Sequence, residues 1–454
     1  MNIPPVVLIS LAILVGLPFA LPAKPRLVVT TDIGGDPDDM QSLIRLLVFS
    51  NEFEIEALVA SAAGIPGELE NAITRPDIIH SFIDSYSDVY PNLRAYDPAY
   101  PSPELLRQRV VSGNPERGWE QVGAGKDTPG SDALLSAMLK PDPRPLNISI
   151  WGGQTDLAQA LWKLKETTSS EQYRQTLNQL RIYDIADQDG IFEQISQNHA
   201  GLFYILNLAP EGRDRRESAF RGMYLGGNED LTSLEWIQTH VSTQHGPLGA
   251  RYPTQTWTAP NPHGVMKEGD TPSWFYFLDN GLHNPEQPSW GGWGARFQPH
   301  ANGHYVDAID TVNDISSARA TVWRWREDFQ RAFAARMDAC VIGTQANHAP
   351  QLHITAFPEA FPRFTLHPGE TRSLDLRKST DPDGHALHAS AWIYPEAGDP
   401  GVQLTLENPQ PLVLEVTALP ESMPGLSHLI LCLSDDGSPP LTTYRRVRVE
   451  VQMP

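Results

Sequence analysis

Val28–Ser50 reads VVTTDIGGDPDDMQSLIRLLVFS. An apolar, β-branched run ends at Asp32, a Gly-Gly pair follows, and Asp36, Asp38 and Asp39 come next. Met40, Leu43, Leu46 and Leu47 then recur at helical spacing. The first part predicts a buried strand and the last an amphipathic helix opening at Asp38. Four carboxylates this close repel one another. Acids in a first helical turn gain about 0.3–1 kcal/mol each from the helix dipole, which accounts for Asp38 and Asp39. It does not account for Asp32, at the end of a buried strand and across a Gly-Gly bend. A hard divalent cation among the carboxylates accounts for the whole cluster.

The pattern repeats downstream. FEIEALVASA predicts a strand and NAITRPDIIHSFIDSYSDVY a helix. NISIWGG followed by TDLAQALWKLK is strand, turn and helix, and QLRIYDIADQDG followed by IFEQISQNHAGLFYILN repeats it. Such alternation predicts an α/β fold, an open and mostly parallel sheet with helices on both faces. Ligands bind such sheets at the carboxyl ends of the strands. Asp32, Trp151, Asp184 and Asp187 fall on that rim. Gln188, Asp189 and Gln194 follow the fourth strand and are candidates to bind a polar ligand at that rim. From Met223 to Gly303 the chain is rich in Trp, Pro, Gly and His, the texture of long functional loops. There, Trp290 and Trp293 in SWGGWG offer a stacking platform for a sugar ring, with loop packing as the alternative. DISSARATVWRWREDFQRAFAARMDACV predicts one long amphipathic helix closing this domain.

After TQANHAP (Thr344–Pro350), seven short segments alternate and are spaced by turn residues. They are HITAFP, TRSLDLRKS, LHASAWIYP, VQLTLEN, PLVLEVTAL, HLILCLSDD and TTYRRVRVEVQM. They predict an immunoglobulin-like β-sandwich. Its STDPDGHAL loop (Ser379–Leu387) reads as an Asp/Gly turn, with Ca²⁺ binding as the alternative.

The 454 residues suffice for two or three domains, and the net charge of −21 excludes a nucleic-acid polymer as partner. Val6–Ala20 is uncharged and apolar, followed by small residues and a proline, which predicts a secretory signal peptide over residues 1–23. A membrane anchor is the alternative. No later segment is long and apolar enough to span a bilayer, so the expectation is a secreted protein with no membrane contact after cleavage. Cys340 and Cys432 read either as a disulfide or as two buried thiols.

TTDIGGDPDD resembles the N-terminal signature of the nucleoside hydrolases, with a loop two residues longer. ISIWGGQTDLAQAL resembles a second segment of that family, and EGDTPS (Glu268–Ser273) a third that supplies a metal ligand. The order is the family's. RLVVTTDIGGDPDDMQSLIRLL, EGDTPSWFYFLDNGL and PSWGGWGARF further resemble a divergent secreted branch, described as cellulose-binding, that joins a nucleoside hydrolase-like domain to a C-terminal sandwich. The resemblance implies an α/β domain over 24–345 and a sandwich over 350–454. It implies Ca²⁺ held by Asp32, Asp39, Asp270 and the Trp151 carbonyl, Asp32 as general base, and Asp38 as the acceptor for a sugar diol. Thr30 stands where the family has its first aspartate, and Asp36 is the candidate replacement ligand. Gly269 stands where the family often has a histidine tied to a nucleobase leaving group. The function implied is a metal-dependent hydrolase acting on an N- or O-glycosyl bond of a saccharide or glycoside. The alternative is a non-catalytic carbohydrate-binding, cellulose-binding protein.

Overall fold

The computed structural model describes residues 23–64, 72–256 and 263–453. The signal-peptide reading falls almost wholly outside them. Among the described residues no helix is long and apolar enough to cross a membrane.

The first unit is built on an eight-stranded sheet. Its strands are β1 (Arg26–Thr31), β2 (Glu54–Ala60), β3 (Val110–Ser112), β4 (Leu146–Ile150), β5 (Leu180–Ile185), β6 (Tyr204–Asn207), β7 (Phe297–Pro299) and β8 (Tyr305–Asp307). They lie in the order β3-β2-β1-β4-β5-β6-β8-β7, parallel throughout except for β7. Every residue of β1 is buried. Its side chains alternate between two hydrophobic layers: Leu27 and Val29 enter one, Val28 the other. That two-sided burial is why the sequence is continuously apolar here. The chain winds outward from β1 to β3, then returns to β4 on the other side. The β1/β4 boundary is thus a topological switch point, where ligands lodge in such sheets. Asp32 leaves β1 there and Trp151 leaves β4.

The helix α1 (Asp38–Val48) follows the Gly-Gly bend. All its residues from Gln41 to Val48 are buried, Arg45 included. Arg45 pairs with the buried Glu268, which also accepts the Tyr252 hydroxyl at 2.6 Å. The sequence pattern gives no warning of that internal ion pair.

The expected closing helix is shorter than its amphipathic pattern. Ile315–Ser317 is a strand, β10, paired with β9 (Asp310–Val312), and the helical segments are Ala320–Trp323 and Arg326–Ile342. Asn313 and Asp314 both take positive φ, 50° and 64°. Two such residues between β-formers make a tight hairpin turn, so a helix could not begin at Asp314.

The second unit is a two-sheet sandwich of β11 (Arg363–Leu366), β12 (Thr371–Asp375), β13 (His388–Ile393), β14 (Leu404–Gln410), β15 (Val413–Ala418), β16 (Gly425–Ser434) and β17 (Thr442–Val451). The sheets run β11-β17-β16-β13 and β12-β15-β14, and Leu366, Leu374, Val416, Leu431 and Val449 fill the space between them. The first strand is RFTL, not HITAFP as the sequence suggests. RFTL lies parallel to β17, whereas His353–Pro358 forms a turn region outside the sheet. Cys340 and Cys432 are both free thiols, the first buried and the second half-buried. Asn147-Ile-Ser149 is the one N-glycosylation sequon of the sequence, and its asparagine is buried in β4, donating to the Arg26 carbonyl at 2.9 Å.

The two units meet across an aromatic interface. The Trp290 ring packs 5.2 Å from Phe361 and 5.2 Å from His428. Trp293 packs against Phe275, Phe329 and Tyr444. Arg446, fully buried, donates to the carbonyls of Leu282 at 2.9 Å and Gly291 at 2.8 Å. Trp290 and Trp293 are therefore packing residues of this interface and not an open sugar platform. Their Gly-rich loop lets backbone and rings approach closely: a Cβ on Gly294 would lie 2.2 Å from the Tyr276 nitrogen.

Candidate metal and sugar pocket

A cavity of about 130 Å³ opens at the β1/β4 switch point. Asp32, Asp36, Asp38, Asp39 and Asp270 line one side of it, with Lys267 among them. Ile185, Ala186, Gln188, Phe220 and Arg221 line the rest. Sequence position alone explains the first four acids. Asp270 arrives from the loop layer, at the start of the short helix Thr271–Phe275.

One oxygen each of Asp38, Asp39 and Asp270 lie within 4.8 Å of one another. Asp39 accepts the Thr31 hydroxyl. Asp270 has a buried oxygen, Oδ2, with no hydrogen-bond partner. Asp36 and Asp38 flank the Lys267 ammonium at 2.5 and 3.0 Å. Burial works against that charge, but Asp38, Asp36 and Tyr224 together hold Lys267 above the usual lysine range. Asp32 accepts Arg117 at 3.1 Å, and Arg117 also faces Asp189 at 3.0 Å. Five carboxylates thus share the site with three side-chain cations, Lys267, Arg117 and Arg221, and Arg117 is also shared with Asp189. The orphaned oxygen and the surplus negative charge fit a hard divalent cation, whose preferred donors are carboxylate oxygens.

The electrostatics agree. Burial pushes the Asp32 carboxyl up to about 7, against the pull of Arg117. Asp39 and Asp270 are pushed well above the usual carboxylate range by burial, then by neighbouring carboxylates. Asp38 is raised by burial, with Lys267 opposing. Asp156 behind the site is raised to about 6 by burial. Each group binds its proton more tightly in the folded than in the unfolded chain. Their contribution to stability is therefore full below an ordinary carboxylate value near 4 and is lost as pH rises through the folded values. The metal-free protein is expected to melt progressively lower between about pH 4 and pH 7. Saturating Ca²⁺ is expected to flatten or reverse that slope. Thermal melts across this range, with and without Ca²⁺, check it; a metal-free melting temperature that rises through the window would refute the charge assignment.

The second sequence motif builds the floor. Gly153 takes φ of 80°, and a Cβ there would lie 2.0 Å from Ser61 Oγ. A Cβ on Gly152 would lie 2.7 Å from Asp32 Cβ. The Gly-Gly pair is what lets β4 close on Asp32. The Trp151 carbonyl, the expected backbone ligand, accepts a hydrogen bond from Gln188 Nε2. Gln188 must turn aside for that carbonyl to reach a cation. Ala186 and Asp187, both at positive φ, deliver Gln188 into the cavity. Asp187 caps the amides of Ile191 and Phe192, at 3.0 Å each.

Several expected residues stand elsewhere. Thr30 is buried and donates to the Gly152 carbonyl at 2.5 Å, so its hydroxyl is committed to the backbone. Asp189 accepts the Thr155 amide and hydroxyl at 2.8 and 2.7 Å and braces Arg117 without lining the cavity. Gln194 lies outside the cavity on the helix Phe192–Asn198. Asp184 is fully buried under Gln154 and Tyr204. Lys267, Arg117, Phe220 and Arg221 are missing from the sequence reading. Lys267 and Arg117 sit in irregular backbone, and Phe220 and Arg221 in a one-turn 3₁₀ helix, Ala219–Met223, too short for any periodicity to place them. Lys267 alone carried a signal, three residues before Asp270.

This fold is that of the nucleoside hydrolase-like class. Residues 26–297 match the family model "Cellulose-binding Sde182, nucleoside hydrolase-like domain", and residues 371–451 match "Cellulose-binding protein Sde0182, C-terminal domain". The chain belongs to this family. A nucleoside hydrolase-related hypothetical protein from Saccharophagus degradans, described as associated with carbohydrate metabolism, is 31% identical, with a TM-score of 0.78. The alignment covers 95% of this chain and 100% of that one. Human CDH23 EC21-23 aligns with 23% of this chain and 36% of its own at 19% identity and a TM-score of 0.18. No functionally curated protein matches the sequence.

Proposed function

We propose that this protein is a secreted, divalent-cation-dependent hydrolase that cleaves the N- or O-glycosidic bond of one terminal sugar unit. The carrying observation is the convergence of Asp38, Asp39 and Asp270 within 4.8 Å, beside Asp32 in one cavity. Asp38, Asp39 and Asp270, with Asp32 beside them, would hold Ca²⁺, and Asp36 joins them if Lys267 moves. Bound there, the cation offsets the carboxylates and makes water a stronger nucleophile. Asp32, raised to about 7, has the proton affinity of a general base working near neutrality. Arg117 fixes its orientation. Asp38, through the oxygen not turned to the cation, and Gln188, once it leaves the Trp151 carbonyl, have the acceptor and amide chemistry to bind sugar hydroxyls. The surrounding carboxylates favour positive charge developing at an anomeric carbon, whose transition state is oxocarbenium-like. A cavity of about 130 Å³ is well below the roughly 300–1,000 Å³ of sites for larger ligands, which supports a single sugar ring. Val6–Ala20 supports secretion.

Two observations favour a second reading, a carbohydrate binder without turnover. Lys267 competes for the same carboxylates as the cation, and the family is described as cellulose-binding. Calorimetric titration of metal-stripped protein with Ca²⁺, followed by a screen of glycosides and nucleosides, decides between them. The hydrolase is expected to bind one Ca²⁺ and release sugar only when Ca²⁺ is present. Oligosaccharide binding with no release at saturating Ca²⁺ selects the binder. No Ca²⁺ binding removes the hydrolase reading.

A further inference from the structure

The STDPDGHAL loop between β12 and β13 carries a second, independent donor cluster. One ligand atom each of Asp381, Asp383 and His385 lie within 4.8 Å of one another. The Asp381 side chain is only 1% exposed. Its Oδ1 accepts the amides of Asp383 and His385 at 2.9 Å each, the expected turn. Its Oδ2 is buried and has no hydrogen-bond partner. His385 Nδ1 is also buried and unpartnered, 3.6 Å from Asp381 Oδ1. A turn explains Oδ1 alone. It leaves two buried polar atoms of neighbouring side chains unsatisfied, which is costly unless something pairs with them.

We propose that Asp381, Asp383 and His385 form a site for a divalent transition-metal ion of the zinc type. Two carboxylates and one imidazole are borderline donors, which Zn²⁺ accepts and all-oxygen Ca²⁺ sites do not use. Donors around a tetrahedral Zn²⁺, each at about 2.0 Å, lie about 3.3 Å apart. The edge from His385 Nδ1 to Asp381 Oδ1, at 3.6 Å, is almost there, and the orphaned Oδ2 is the other oxygen of the same carboxylate. Asp383 has to close the remaining gap, and its exposed position in the loop lets it do so. Its carboxylate already accepts the His348 amide at 2.7 Å and faces His348 Nδ1 at 3.0 Å. His348 stacks on Tyr96 of the first unit at 4.1 Å. An ion at this site therefore fixes Asp383 and, through His348, ties the sandwich loop to the helix Pro76–Tyr96. An outer hydrogen bond of this kind orients a ligand for its metal.

The test uses Co²⁺, whose visible absorption reports nitrogen-containing, low-coordinate sites, on the full metal-stripped chain. One equivalent is expected to give such bands, and Zn²⁺ is expected to displace it at far lower concentration than Ca²⁺. His385→Gln and Asp381→Asn, each checked for folding by circular dichroism, are expected to lose the bands and to weaken Zn²⁺ binding at least tenfold. Wild-type protein without the bands, unchanged bands in folded His385→Gln, or displacement by Ca²⁺ as readily as by Zn²⁺ would each overturn the proposal. The bands are expected to persist in Asp39→Asn, which separates this site from the acidic pocket.

Discussion

Asp39→Asn is expected to weaken Ca²⁺ binding by more than about 100-fold, because losing even an outer-shell partner of a metal ligand costs 10–100-fold. Sugar release should vanish with it. The same change has an opposite effect on the metal-free protein. Asp39 is buried, and Asp270 and Asp32 both push its carboxyl upward. Asparagine keeps the shape, removes one of the crowded charges and can still pair with the Thr31 hydroxyl. The metal-free variant should therefore melt higher than metal-free wild type at neutral pH, while added Ca²⁺ should raise only the wild type. Isothermal titration and paired melts read both signs. A variant that binds Ca²⁺ as tightly as wild type would show that Asp39 caps α1 and does nothing more.

Asp32→Asn separates chemistry from binding. A positioned general base contributes about 10²–10⁴ in rate, so kcat should fall by that order. Sugar affinity should change little, because Asp38 and Gln188 remain in place. Arg117 keeps Asp189 as its partner, so the variant is not left with an unpaired buried cation. The diagnostic readout is the pH profile. Wild-type activity at saturating Ca²⁺ should rise with pH along a limb below about 7, the value to which burial lifts Asp32 when no cation is bound, and the variant should lack that limb. Full turnover in Asp32→Asn, or an unchanged pH limb, would move the base to another residue and leave Asp32 as a cation ligand alone.

The strand-helix alternation made the parallel sheet legible, because β1 is apolar on both faces and the acids follow it directly. The cluster of Asp32, Asp36, Asp38 and Asp39 was legible for the same reason: four neighbours in sequence stay neighbours in space. Asp270 was legible only through the family resemblance of EGDTPS, since nothing in its local pattern points back to β1. The cations were hidden. Arg117 and Lys267 reach the pocket from irregular segments, whose course depends on tertiary packing and not on period. Trp290 and Trp293 misled because a tryptophan in a glycine-rich loop looks the same whether it faces solvent or a second unit. The hairpin at Asn313-Asp314 was readable in principle from its turn residues, but the apolar spacing of the segment that follows it masked the break.

The guanidinium of Arg446 reaches out of β17 to grip carbonyls of the loop layer, and Trp293 presses that layer against Phe275. Phe275 closes the five-residue helix that begins directly after Asp270. The sandwich is therefore a brace for the pocket's outer wall, some distance from any chemistry. Inheritance must then treat the two halves as one unit. A lineage that shed the C-terminal strands would lose the seating of Asp270, and a lineage that reshaped the sandwich would alter the pocket without touching a residue inside it.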